Sequence, residues 1–277
     1  MRIETGVTSA GPSFAAQLVG STALTHQPLQ HCPTSKLAFH APLVECAGFE
    51  IWCASSGLRR LRGDGLLRRM YASRGYKHGC GSTDASDEPT LTLQACRGDE
   101  VFGTITVRLD SIEGLAADAL YRRAIDGYRS AGASVCEVTR LAVSDGGDSK
   151  PILASLFHVG YLFFGVLAGA TDVFIEVHPR HAKFYEHMLG FERKGECRTC
   201  PRVQAPAVLM HIETAHIARR ISAVQRQQRS RERSWYAYSL SRDEEEKALS
   251  QIIAADTWQQ SESYSNRVCH LHIAQPQ

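Results

Sequence analysis

The chain has 277 residues, 43% hydrophobic and 22% charged, proportions that exclude a collagenous, low-complexity or wholly disordered protein. Its 31 basic and 29 acidic side chains leave a formal charge of +2, too balanced for a surface that grips nucleic acid, so a charge-driven partner has to meet a local patch. The length suits one sizeable core with appended helices rather than two full domains.

Residues 1–44, rich in Ser, Thr, Gly, Pro and His, show no sustained periodicity and are expected to form a mobile arm. MRIETGVTSAGPSFAAQLVG lacks an unbroken apolar run and does not resemble a secretory signal. Nine cysteines, an odd and scattered set, fit a reduced, cytoplasmic setting. From Gly48, FEIWCASSGLRRLRGDGLLRRMYASRGY mixes apolar and Arg positions in a helical manner, with Gly57, Gly63 and Gly65 predicting one or two short helices. TLTLQAC and VFGTITVRLDS alternate by twos about an Arg97–Glu100 turn, a β-hairpin.

Leu115 to Arg129 has helical spacing, VCEVTRLAV (135–143) reads as a strand, and SDGGDSK as a loop. The apolar stretch Pro151 to Ala170 has membrane-spanning length, but Ser155 and His158 within it favour a buried core helix over an integral span. DVFIEV is a buried-strand run stopped by Pro179, and HAKFYEHMLGF a short helix with Gly190 where a left-handed cap residue belongs. Strands are expected at Phe191 to Lys194 and Pro206 to Glu213. This order predicts a mixed α/β fold, a mixed sheet flanked by helices over 45–213, followed by a helical C-terminal extension over 214–277. Six arginines from Arg219 to Arg233 against Glu232 make the start of that extension basic.

No HExxH, GxxxxGK[ST] or GxSxG sequence occurs. Cys197 and Cys200 have metal-like spacing but no companion pair, so no metal site is expected. More informative is VCEVTRLAV, where Glu137 and Arg140 interrupt an apolar strand in the middle of the sheet. Charges there are costly unless paired or used. Positions three apart face opposite sides of a regular strand, so a shared site requires a bulge, expected between Val138 and Ala142. A Glu–Arg pair with a purely structural role is the alternative.

Four blocks, GTITVRLDSIEGLAAD (103–118), EVTRLAV (137–143), DVFIEVHPRHAKFYEHMLGF (172–191) and CPRVQAPAVLM (200–210), resemble the long-chain N-acyl amino acid synthases of the GNAT acyltransferase superfamily, relatives of the acyl-homoserine-lactone synthases. The resemblance implies a GNAT-like fold and transfer of a fatty acyl group from acyl carrier protein to the α-amine of an amino acid. It implies no tightly bound cofactor, the donor being the acyl-phosphopantetheine of the carrier. Glu137 is then a candidate general base, and Arg140 or Arg108 a clamp for the substrate carboxylate. The backbone N–H groups of Leu141 to Val143 would face the oxyanion. Tyr185 stands where many GNAT enzymes place the acid that protonates the leaving thiolate. His178 and Arg180 are candidate substrate contacts, and Phe157 and Tyr161 of the apolar helix candidate acyl-chain contacts.

The resemblance has departures. The R-x-x-G-x-G/A pyrophosphate loop of coenzyme-A-dependent relatives is absent, and Asp145 and Asp148 would repel a pyrophosphate, whereas Gly146, Gly147 and Lys150 suit a single phosphodiester. That favours the carrier protein as donor, with acyl-coenzyme A and a non-catalytic lipid-binding role as alternatives. Arg59, Arg60, Arg62, Arg68 and Arg69, or the basic tail, would meet an acidic carrier. The lactone synthases have an Arg four residues before the first-helix aromatic; here Leu67 precedes Tyr71.

Overall fold

The computed structural model describes residues 41–76, 90–144, 149–226 and 234–254. It opens with two strands, β1 (Val44–Cys46) and β2 (Phe49–Cys53), which pair with each other. FEIWC was expected to be helical, yet Phe49, Ile51 and Cys53 alternate inward as the period of a strand requires. Val44, assigned to the arm, is fully buried in β1. Residues 1–40 of that arm lie outside the described residues.

One helix, α1 (Gly57–Ser73), replaces the predicted short pieces and runs through both Gly63 and Gly65. Ser56 caps it by accepting from the N–H of Arg59, and Leu66, Leu67 and Met70 bury one face. Gly63 is there because α1 lies directly on the sheet. A Cβ at that position would stand 2.3 Å from Nε2 of Gln94, which donates to the Arg59 carbonyl. Close approach thus outweighs the low helix propensity of glycine.

The predicted hairpin is β3 (Thr90–Arg97) and β4 (Glu100–Leu109). α2 (Asp118–Ser130), β5 (Val135–Val143) and α3 (Ser149–Tyr161) follow, the last widening into a π-helical turn over Leu162–Leu167. β6 (Asp172–Val177) leads into α4 (Pro179–Leu189), closed by Gly190 in the left-handed conformation at φ 87°. Strands β7 (Glu192–Arg193), β8 (Arg198–Cys200) and β9 (Ala205–Glu213) and helix α5 (Thr214–Arg226) complete the order; the three-residue β8 is absent from the sequence-based prediction.

The strands form one mixed sheet ordered β1-β2-β3-β4-β5-β6-β9-β7, with β8 against β9. Every neighbouring pair is antiparallel except β5 and β6. One face packs on α3, α4 and α5 through Ile105, Val107, Cys136, Val138, Phe157 and Ile217, while α1 and α2 cover the other. The stretch Ser149–Leu167 is long and apolar enough to cross a membrane, but most of it is buried, as a core helix requires.

The C-terminal segment belongs to this core. A 3₁₀ turn (Trp235–Tyr238) buries Trp235 and Tyr236, and α6, residues 242–254, buries Leu249 and Ile252. The Tyr236 hydroxyl donates to the Leu189 carbonyl at 2.8 Å, and the Leu240 N–H to Nδ1 of His158 at 3.0 Å. Arg229, Arg231 and Arg233 of the basic tail lie outside the described residues.

Candidate active site

β5 carries the expected bulge. Its register with β4 slips so that Ile105 alone stands opposite Arg140 and Leu141, and Arg140 takes the left-handed φ of 54°. Side-chain contacts show the same inversion. Val138 packs into the α3 side of the core, whereas Ala142 packs with Leu66 and Leu67 of α1, although residues four apart share a face in a regular strand. Glu137 and Arg140 consequently both reach the α1/α2 face. There they find different partners: Arg140 is ion-paired with Asp64 of α1, and Glu137 lies against the start of α2.

Glu137 is 0% exposed. Its Oε2 accepts from the N–H groups of Ala116 and Ala117 at 2.7 and 3.3 Å, donors left over at a helix start where the dipole favours an anion. Oε1 is buried without a hydrogen-bond partner among the described residues. Burial pushes the carboxyl up to about 7; Arg202 and the two amides oppose that rise, and Glu176 adds to it. Arg108 stands directly opposite Glu137 in the β4 ladder, and Thr106 opposite Thr139. With Thr92, whose hydroxyl is 2.9 Å from that of Thr106, these residues form a polar stripe. It crosses the sheet between the ground held by α1 (Gln94, Ala142) and that held by α2 (Val135, Phe174).

β5 and β6 pair only from Val135–Asp172 to Glu137–Phe174. Beyond Glu137 the two parallel strands have no ladder between them, and among the described residues no strand pairs with the β6-facing edge of β5 at Leu141 and Val143. A backbone edge without a strand partner can hydrogen-bond an extended ligand.

Glu176 follows on β6, on the same face, and was not singled out from the sequence. Its side chain is 7% exposed and ion-paired with Arg202 of the turn between β8 and β9. Its Oε1, like that of Glu137, is buried and unpartnered, and burial raises its pKa. The readable signal was the one used for Glu137, a carboxylate inside an apolar strand. Asp64, the single acid among the arginines of α1, was missed too. Asp110 is tied with Asp118 and Asp126 to Arg129, an ion-pair network that anchors α2.

At the far end of β6, His178 caps α4 by accepting from the N–H of Arg180 and stacks on Tyr76 with ring centroids 6.3 Å apart. Arg180 donates to His181 at 3.0 Å and reaches the Tyr76 hydroxyl at 3.5 Å. Tyr185, one helical turn on, is half-buried against Phe184, Phe191 and Trp235, and burial pushes its hydroxyl up to about 12. Tyr71 and Arg74 of α1 act on it electrostatically, so the C-terminal end of α1 and the start of α4 meet here.

Phe157 lies in the core and lines a small apolar cavity with His158, Leu189, Ile221 and Trp235. Tyr161 is half-buried beside Phe164. Among the described residues no three His, Cys, Asp or Glu side chains converge as a metal site. Gly146 and Gly147 lie outside the described residues.

A mixed sheet whose central parallel strands part beside a bulge is the frame of a GNAT-like N-acyltransferase. The family model "N-acyl amino acid synthase FeeM" matches residues 64–213, more than half of the chain, and the chain belongs to that family. The solved structure of FeeM, an N-acyl amino acid synthase from uncultured soil microbes, is similar at 24% identity and a TM-score of 0.54, over 60% of this chain and 95% of that one. The acyl-homoserine-lactone synthase LasI matches at 14% identity and a TM-score of 0.43, over 60% of this chain and 89% of its own. An N-acetyltransferase from Staphylococcus aureus Mu50 matches at 12% identity and a TM-score of 0.42, over 61% of this chain and 99% of its own. No curated protein sequence matches. The chain is thus an acyltransferase, and Asp64, where the family match begins, is the partner of Arg140.

Proposed function

We propose that the enzyme transfers a long-chain acyl group from acyl carrier protein to the α-amine of an amino acid. The observation that carries this reading is Glu137: a fully buried carboxylate with an unpartnered oxygen, at the point where β5 and β6 separate. A base with a pKa near 7 is matched to removing a proton from an ammonium at neutral pH. The pantetheine arm lies in the notch beyond Glu137 and presents its thioester to the open edge of β5, where backbone N–H groups around Leu141 to Val143 face the developing oxyanion.

Glu137 takes one proton from the ammonium, and the amine nitrogen attacks the thioester carbon. The tetrahedral intermediate then expels the thiolate, and the nitrogen's second proton balances the thiol that leaves. The net reaction is thioester plus ammonium to amide, thiol and one proton. Tyr185, with its pKa near 12, keeps its proton and acts as a hydrogen-bond donor to the departing sulfur; full transfer to a thiolate whose pKa is about 8.5 would be uphill. Arg140, engaged with Asp64, holds the bulge in place, a positioning role rather than a substrate clamp.

The outer face of α1 supports the carrier as donor. Leu58, Leu61, Arg68 and Arg69 are exposed on it, an apolar and basic surface suited to an acidic partner. Purified enzyme should convert carrier protein loaded with a long-chain acyl thioester and one or more of the twenty amino acids to an N-acyl amino acid, detected by mass spectrometry. Product from acyl-coenzyme A alone would overturn the donor assignment, and no amide from any amino acid the acceptor assignment.

A further inference from the structure

We propose that Glu176 and Arg202, with Glu137 behind them, form the acceptor pocket: Arg202 takes the carboxylate of a free α-amino acid, and the two glutamates take its ammonium. This rests on the reading that the enzyme acylates an amino acid.

Two carboxylate oxygens, Oε1 of Glu137 and Oε1 of Glu176, are buried without a hydrogen-bond partner among the described residues. A buried, unsatisfied acceptor is costly, and two beside each other call for a donor absent from the fold itself. Both stand on one face of adjacent strands. Phe174 is opposite Glu137, and Glu176 is two residues further along β6, an advance of about 6.6 Å at the rise of a parallel strand. An ammonium has three N–H donors and the charge that such a pair lacks.

Arg202 gives the pocket its polarity. Its Nη2 donates to Oε2 of Glu176, one use of a guanidinium that carries five N–H donors in a planar fork. The turn that carries it is held by the Gln204 N–H, which donates to the Cys200 carbonyl at 2.8 Å, and by Gln204 Nε2, which donates to the Pro201 carbonyl at 2.8 Å. The exposure of the side chains rises from 0% at Glu137 to 7% at Glu176 and 41% at Arg202. From interior to surface the order is base, second carboxylate, guanidinium. An α-amino acid that enters ammonium first passes the guanidinium and comes to rest with its nitrogen at the two glutamates and its carboxylate on the fork. A simple amine offers nothing to Arg202.

The test compares the acceptor that the wild-type enzyme uses best with the amine left after removal of its carboxyl group, at a fixed concentration of acyl-loaded carrier protein. Arg202→Met is expected to raise the KM for the amino acid at least tenfold and to lower the amino acid-to-amine ratio of kcat/KM at least tenfold, with the KM for the donor unchanged. Arg202→Lys keeps the charge and loses the fork, and is expected to lower the ratio several-fold. Glu176→Gln is expected to raise the KM for amino acid and amine alike. A wild-type ratio in Arg202→Lys, or in Arg202→Met shown by circular dichroism to be folded, would overturn the assignment while leaving the acyltransferase reading intact. A wild-type enzyme that acylates no amino acid would remove that reading first.

Discussion

Glu137 has two opposed effects, and both are measurable. Its carboxyl is held near 7 against an ordinary 4.5, so between those values the folded chain binds a proton that the unfolded chain has released. Its stabilising contribution is present below pH 4.5 and is lost as the pH rises through about 7, where the carboxylate forms that the proposed mechanism uses as a base. Glu137→Gln should therefore lower turnover by about 10²-fold or more, the usual scale for a general base, while its Tm at pH 8 stays at or above that of the wild type. Kinetics and a thermal melt on one preparation check both halves. The groups facing Glu137 are Arg108 from β4, Glu176 from β6, Arg202 from the β8–β9 turn and the amides of Ala116 and Ala117. Glu176 raises the pKa and Arg202 lowers it, so the acid limb of kcat/KM should move to lower pH in Glu176→Gln and to higher pH in Arg202→Met. At the bulge, Arg140→Ala loses the Asp64 pair and keeps a Cβ at φ 54°, whereas Arg140→Gly loses the pair and relieves the backbone. The glycine variant should be the more stable of the two by about 1 kcal/mol in denaturant titration.

Among the elements, β5 shows how far the sequence could be read. Two charges in VCEVTRLAV demand an explanation, and a bulge is the one device that puts residues three apart on a common face. The partners of those charges were not legible, because Asp64 and Glu176 come from elements brought near only by tertiary packing. β1 and β2 were hidden for another reason: a three-residue and a five-residue strand are too short for a period of two to stand out beside a helix. Amphipathic spacing marked α5, yet it held no sign that the segment after it, residues 234–254, closes the core over α3. There His158, buried and lowered to about 3 by that burial, accepts from Leu240 with Glu245 nearby. A His that is neutral when folded and titrates near 6.5 when unfolded contributes stability above pH 6.5 and loses it as the pH falls toward 3. Acid should thus weaken the docking of this segment first, seen as smaller protection factors of its amides, relative to those of the central strands, at pH 5 than at pH 7.5. Trp235→Ala should cost about 3–5 kcal/mol, measured in denaturant titration, the range for a buried aromatic.

For the whole molecule, a formal charge of +2 conceals local surfaces such as that of α1. Arg62 is spent on Asp99 and Arg59 lies over Trp52, which leaves Arg68 and Arg69 outermost beside Leu58 and Leu61. Reversing both charges with Arg68→Glu and Arg69→Glu should raise the KM for acyl carrier protein about tenfold or more and flatten its dependence on ionic strength, with the KM for the amino acid unmoved. An unchanged salt dependence would place the carrier elsewhere. Among the described residues the β5–β6 ladder that joins β1–β5 to β6–β9 across the middle of the sheet has three residue pairs. So short a seam makes the two halves prone to shear past each other when the gap is vacant. An occupant bonded to both lips would act as a rivet, and the enzyme should melt at a higher temperature, with slower amide exchange along both lips, once it is loaded with its donor.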